Sequence, residues 1–274
     1  SRGLYAKEGL RVEILELSDP SNTNDVFIKV GKGELNFSAA GQSLLNAQVR
    51  GVPITAIANI NKYAPGTFFS RAETGINSPA DLAGKRIAIK SDVWEDVLQM
   101  LLAKEGITTA DVTLVPSGYD MTPFLEGKVD VWAGFINSEP ILARQKGLKI
   151  VNLPLYEYGF TTPALTLYTS TEALAADPDK AERFIRASIR GWEWAIENPT
   201  AAVDTMLALY PDMAKDREFH LASFDATIPL IRPPGVVLGS IDCEGWLKRA
   251  ITAGVQNPEN FCTEDIFKKA MSGN

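Results

Sequence analysis

Between residues 84 and 154 one pattern recurs three times: a short apolar run, a turn of small and polar residues, then a stretch with helical spacing. GKRIAIKSD leads into WEDVLQMLLAKEG, VTLVPSGYD into MTPFLEGKV, and VDVWAGFI into EPILARQKG, with KIVNLPL as a closing apolar run. Runs this short without polar alternation read as strands covered on both faces. Strands separated each time by a helix cannot pair as hairpins, so the pattern predicts parallel sheet with helices on its faces, an α/β fold. Pro140 falls in the first turn of the helix after VDVWAGFI, where its missing N–H costs nothing. Asp120 or Thr122 is positioned to cap the helix before it.

The flanks read differently. SRGLYAKEGLRVEILEL predicts a helical turn, a stop at Gly9, and a strand that puts Val12, Ile14 and Leu17 on one face. ELNFSAA and VPITAIANI read as strands, residues 42–50 between them as a helix, and NKYAPGTFF as an aromatic loop. From about residue 170 the signal is nearly all helical. Thr171, Asp177-Pro178 and Asn198-Pro199 mark three successive starts, and Trp192 and Trp194 read as packing side chains. DREFHLASFDATIPLI and CEGWLKRAITAG continue as helices around the turn IRPPGVV. With 274 residues, 45% of them hydrophobic, the chain is long enough for two domains. The middle segment carries its own core, so 65–161 is expected to form one lobe and 1–64 with 162–274 the other. NINKYAPGTFFSR and YEYGFTTPALTLYTS would be the two crossover segments.

Composition removes several functions. The net charge is -7, and the 27 Lys and Arg are scattered, leaving no basic stripe for a phosphate backbone; nucleic acid is not an expected partner. No run of about 18 apolar residues could span a bilayer. The chain opens on no signal-peptide core, so it reads as cytosolic or already processed. One histidine, His220, and two cysteines, Cys243 and Cys262, are too few for a metal site, and neither a Ser-His-Asp set nor a G-x-S-x-G elbow can be assembled. No metal, cofactor or catalytic residue is expected. The cysteines read equally well as two free thiols or as a disulfide, which would point to an oxidising compartment.

Ligands of open α/β sheets bind outside the carboxyl ends of the strands. Those ends supply Gln42, Asn59, Tyr63, Ser91, Asp92, Trp94, Tyr119, Asp120, Asn137, Glu139, Tyr158 and Phe160 as candidate ligand-binding residues. Lys62 and Lys90 stand at the edge of the set, and no Arg does. A small inorganic anion would be met by a guanidinium fork and repelled by Asp92, Asp120 and Glu139. A flat, nitrogen-rich, neutral or weakly basic ring fits better, because rings can sandwich its faces while carboxylates and amides take its N–H edge. Glu139, on the first turn of its helix, is the expected acceptor; the same carboxylate is equally placed to cap its own helix.

With these residues in view the chain resembles the NMT1/THI5-like group of ABC-transporter solute-binding proteins, which includes binders of thiamine pyrimidine precursors and of riboflavin. GLYAKEGLRVEIL, GKGELNFSAAGQSLLNAQVRGVPITAIANI, GINSPADLAGKRIAIKSD, VTLVPSGYDMTPFLEGKVDVWAGFINSEPILARQKG and AERFIRASIRGWEWAIENPTAAVDTML carry the likeness in family order. It implies a periplasmic-binding-protein-like type II fold, with two αβ lobes closing on a solute in the cleft between them. It implies a monomer that hands its solute to an ABC permease, exported to the periplasm or held outside the membrane. NSEP at 137–140 and SGYD at 117–120 match cleft-lining elements, and KSDVWED matches a loop entering the cleft. A thiamine pyrimidine precursor is the favoured solute and riboflavin the alternative. Relatives carry a strand and loop ahead of the first helix, so a strand and part of the pocket are expected ahead of Ser1. The same fold family includes a pyrimidine synthase; its pyridoxal phosphate lysine, pocket histidine and cysteine-rich motif are not evident here, and His220 reads as a helix-surface residue. A sensory domain using the same clamshell is the other rival.

Overall fold

A computed structural model describes residues 2–15 and 23–273. The chain divides into two compact units, one of Ser1–Ala64, Thr162–Pro211 and Ile228–Asn274, the other of Pro65–Thr161 and Asp212–Thr227.

The first unit is built on a three-stranded sheet, β1 (Phe37–Ala40), β8 (Thr166–Ser170) and β2 (Ile54–Asn59), with β8 in the middle. Both neighbours run antiparallel to β8. Every residue of β2 and β8 is buried, which is why their sequences show no polar alternation. Helices α2 (Thr23–Gly31), α3 (Ser43–Val49) and α11 (Cys243–Thr252) close one core around Phe27, Leu44, Ile54, Tyr168 and Trp246. Cys243 and Cys262 form a disulfide beside that core, settling the alternative left open by spacing alone.

The helical region follows its start signals. Helix α7 (Thr171–Ala176) begins where Thr171 predicts, though Ser170 caps it by accepting from the Ala173 N–H. Asp177 caps α8 (Pro178–Glu197) by accepting from Lys180, with Pro178 in the first turn. Helix α9 (Pro199–Leu209) starts at Pro199. Trp192 and Trp194 are half-buried on α8, and the guanidinium of Arg2 lies 4.4 Å from the Trp194 ring centre. Short α1 (Leu4–Lys7) packs on α8: Tyr5 stacks on Phe184, and the Glu8 carboxylate takes Arg186 at 2.6 Å and Arg190 at 2.8 Å. Gly9, at φ 68, ends that turn, as expected. The expected strand after it does not form over residues 11–15, where Val12 is 38% and Ile14 77% exposed; Leu17 lies outside the described residues. Helix α12 (Asp265–Ser272) also packs on α8.

The second unit holds a five-stranded sheet in the order β5 (Thr113–Pro116), β4 (Arg86–Ile89), β6 (Val131–Phe135), β3 (Gly66–Arg71), β7 (Ile150–Pro154). Helices α4 (Asp92–Ala103), α5 (Thr122–Leu125) and α6 (Glu139–Gln145) follow β4, β5 and β6. Parallel pairing holds for β4 with β5 and with β6. Two expectations are corrected. GTFFSR is a strand, β3, where an aromatic loop was predicted, and it pairs antiparallel with both β6 and β7. The sheet is therefore mixed. Phe68 and Phe69 of β3 are both fully buried, on opposite faces and in separate core clusters. A central strand buried on both sides has no alternation to announce it, and Pro65-Gly66 before it reads as a turn. Helix α10 (Arg217–Ile231) begins in this unit and continues into the first. His220 lies on α10, half-buried against Phe219.

Candidate functional site

Because β4, β5 and β6 run parallel, their carboxyl ends meet at one edge of the second unit's sheet. Lys90 directly follows β4, Tyr119 and Asp120 stand in the turn after β5, and Asn137 and Glu139 follow β6. Antiparallel β3 starts at this same edge, with Gly66 paired to Phe135.

Glu139 is fixed from two sides. Its Oε2 accepts the Phe135 backbone N–H at 2.9 Å, folding the carboxylate back over the end of its own strand. Its Oε1 accepts from Lys90 Nζ at 2.8 Å. A side chain at Gly134 would come within 2.8 Å of the Glu139 carboxyl carbon, so glycine there makes room for the fold-back. The Lys90 side chain is 3% exposed and the Glu139 side chain 16%, so the carboxylate is the more open member of the pair. The Lys90 ammonium also lies 5.3 Å from the Trp132 ring centre and 5.5 Å from that of Tyr119, within reach of their π-faces.

Around this pair stand aromatic rings. Trp94, on the first turn of α4, packs edge-on against buried Phe68 at 5.7 Å and tilts against Phe135 at 5.9 Å. Phe135 is 46% exposed and Tyr119 84% exposed, so two ring faces are open to a ligand. Ser91 and Asp92 are exposed at the start of α4. Asp120 accepts from the backbone N–H and hydroxyl of Thr122, and these bonds hold its carboxyl below the ordinary range. The N-cap position of α5 is Met121 and carries no side-chain cap, so the expected cap by Asp120 or Thr122 does not form, and Asp120 remains exposed in the turn before the helix.

Asn137 donates to the Thr227 hydroxyl at 3.1 Å. Tyr158 and Phe160 are half-buried against the hydrophobic core, and Lys104 lies 5.9 Å from the Phe160 ring centre. Burial and the nearby Glu157 and Glu105 push the Tyr158 hydroxyl up. Ser91, Asp92, Trp94, Tyr119, Asp120, Asn137 and Glu139 follow the ends of β4, β5 and β6 at this edge, and Tyr158 and Phe160 follow the end of β7, packed on the same core cluster as Trp94. Lys90 and Phe135 join the group without having been among the candidates. The lysine ending the run RIAIK was the available signal for one; nothing in VWAGF distinguished the other.

In the first unit, Asn59 is buried and donates across the sheet to the Thr166 hydroxyl at 2.8 Å. Tyr63 is half-buried. Lys62 donates to the carbonyls of Asn59 and Ser240 and to the Ser240 hydroxyl. Burial lowers its pKa to about 8. Gln42 is exposed at the start of α3, where it borders a groove of ≈ 440 Å³ shared with Leu45, Val49, Arg50 and Arg249. Among the described residues no cluster of His, Cys, Asp and Glu could hold a metal ion, and no helix is long and apolar enough to cross a membrane.

The two compact units, each with its own sheet, match the fold of solved periplasmic solute-binding proteins. The solved structure of the periplasmic sulfonate-binding protein SsuA from Methylobacillus flagellatus is similar to it with a TM-score of 0.70 at 14% identity, over 98% of this chain and 84% of that one. The NMT1/THI5 like family matches residues 1–202, and the chain belongs to that family. It is 30% identical over 219 residues to riboflavin-binding protein RibY of Chloroflexus aurantiacus, covering 77% of this chain and 61% of the relative. It is 29% identical over 227 residues to 4-amino-5-hydroxymethyl-2-methylpyrimidine phosphate synthase of Aspergillus parasiticus, 78% and 66% of the two chains. Against the formylaminopyrimidine-binding protein of Halalkalibacterium halodurans it is 25% identical over 254 residues, 89% and 75%. The chain thus spans 61% of the length of the riboflavin-binding relative.

Proposed function

We propose that this chain is the exported solute-binding component of an ABC importer and that it takes a small planar heteroaromatic solute without converting it. The observation that carries the reading is the open Tyr119 and Phe135 rings beside a carboxylate, Glu139, whose charge Lys90 already matches. Open π-faces favour a flat ring, and a fixed carboxylate accepts N–H groups on its edge. The solute-binding relatives support binding over catalysis. A thiamine pyrimidine precursor is favoured over riboflavin, since two of the three relatives described are named for aminopyrimidines. Asp92, Trp94, Tyr119 and Glu139 are the proposed contacts, with Lys90 and Phe135 added. The Cys243–Cys262 disulfide supports an oxidising compartment.

Mass spectrometry of the compound that co-purifies, followed by calorimetry with a formylaminopyrimidine and with riboflavin, tests this. Binding of either, unchanged in mass after incubation, is expected. Glu139→Gln keeps the shape and removes the charge, and a charge-assisted hydrogen bond lost in this way weakens binding by about 10- to 100-fold. Turnover of the bound compound, or a folded Glu139→Gln protein that binds as the parent does, would overturn the assignment.

A further inference from the structure

Lys90 is an almost fully enclosed cation, 3% exposed, and Glu139 is its ion-pair partner at 2.8 Å. The ring faces of Trp132 and Tyr119 also lie against it. Rings offer quadrupoles but no net charge. An enclosed charge that loses its partner is left uncompensated, whereas an enclosed pair removed together leaves little electrostatic imbalance. The pair therefore hides a cation at the mouth of the sheet.

We propose that Lys90 and Glu139 form a charge-cancelling couple that sets the specificity of this site: it admits neutral solutes that offer N–H groups and refuses free anions, which would be drawn to Lys90 if Glu139 did not occupy it. The inference rests on the reading of this edge as the solute site. Glu139 is the half of the couple a solute meets, being the more open, and Lys90 acts behind it as a positioning residue holding Oε1. Gly134 and the Phe135 N–H hold the other side of the carboxylate, so the couple is fixed before any solute arrives. Preorganisation of this kind lets charge complementarity act as selectivity instead of being lost to rearrangement.

Glu139→Ala clears the place of the carboxylate and exposes Lys90 to a replacement anion. Ethanesulfonate is the probe, titrated by calorimetry into the parent, Glu139→Ala and the double variant Lys90→Met/Glu139→Ala, with thermal unfolding of each at increasing probe concentration. Glu139→Ala is expected to bind ethanesulfonate about 10-fold or more tightly than the parent and to gain in Tm as the probe is added, since a ligand of the folded state stabilises it. The double variant is expected to lose that gain. A parent that already binds ethanesulfonate as tightly as Glu139→Ala, or a folded Glu139→Ala that gains nothing, would overturn the proposal. Should Glu139→Ala fail to fold, Glu139→Gln carries the same comparison. If neither riboflavin nor a formylaminopyrimidine binds the parent, the functional reading fails while the ethanesulfonate result stands by itself.

Discussion

The indole N–H of Trp246 donates to the side-chain oxygen of Gln48 at 2.9 Å, and both side chains are buried. The Gln48 amide in turn donates to the carbonyls of Ile54 and Phe261. One side chain thus ties α3 to β2, to α11 and to the segment before Cys262. Gln48→Leu would leave the Trp246 donor and two carbonyls without this partner, costing about 3 kcal/mol, and Trp246→Phe would leave only the Gln48 oxygen unpaired, costing about 1 to 2 kcal/mol. Urea unfolding of the two variants should give that order. Equal losses would show that the network is not centred on Gln48.

The disulfide secures the same region. Cys262 lies beside Ala56 of β2, and the Thr263 N–H donates to the Ala56 carbonyl at 3.0 Å, while Cys243 opens α11. The bridge closes a sequence separation of 19 residues. Reduction, or paired Cys243→Ser and Cys262→Ser replacement, is expected to lower the unfolding free energy by about 3 kcal/mol. The check is a denaturant curve with and without reductant.

Lys62 makes stability depend on alkaline pH. Its folded-state pKa, about 8, lies below the ordinary 10.5, so the unfolded chain holds this proton more strongly. The unfolded state therefore carries more bound protons between pH 8 and 10.5, and unfolding free energy rises with pH across that window. Solvent access to this half-buried group reduces the effect to about 1 to 2 kcal/mol. Measured against Lys62→Met from pH 7.5 to 10.5, the parent should gain stability as pH increases. A flat difference would place the ammonium in a more solvated setting.

Gly134→Ala pushes a methyl into the place of the Glu139 carboxyl, 2.8 Å away. Overpacking of this kind costs about 1 to 3 kcal/mol. The displaced carboxylate should also bind the heteroaromatic solute about 10-fold or more weakly, for the loss of one charge-assisted hydrogen bond. Calorimetry on a variant whose circular dichroism matches the parent separates the two effects.

Helix starts were legible because their chemistry is local. Asp177 and Pro178 lie next to each other and act within one turn. The runs RIAI, TLVP and VWAGF announced their strands through apolar content alone, and their spacing placed most of one unit's candidate residues at a common edge. Phe135 was not legible at that edge, because nothing in the apolar run VWAGF separates the one open ring from its buried neighbours.

The sequence alone determined the α/β class, the order of the elements after residue 84 and the starts of α7, α8 and α9, because each follows from neighbouring residues or from composition. Only the tertiary structure decided that β3 enters its sheet in reverse, that Cys243 meets Cys262, that Trp246 meets Gln48 and that Lys90 meets Glu139. The last two pairings join residues 198 and 49 positions apart. Such contacts depend on how closed loops and packed cores bring distant segments together, and no local window of sequence contains that information.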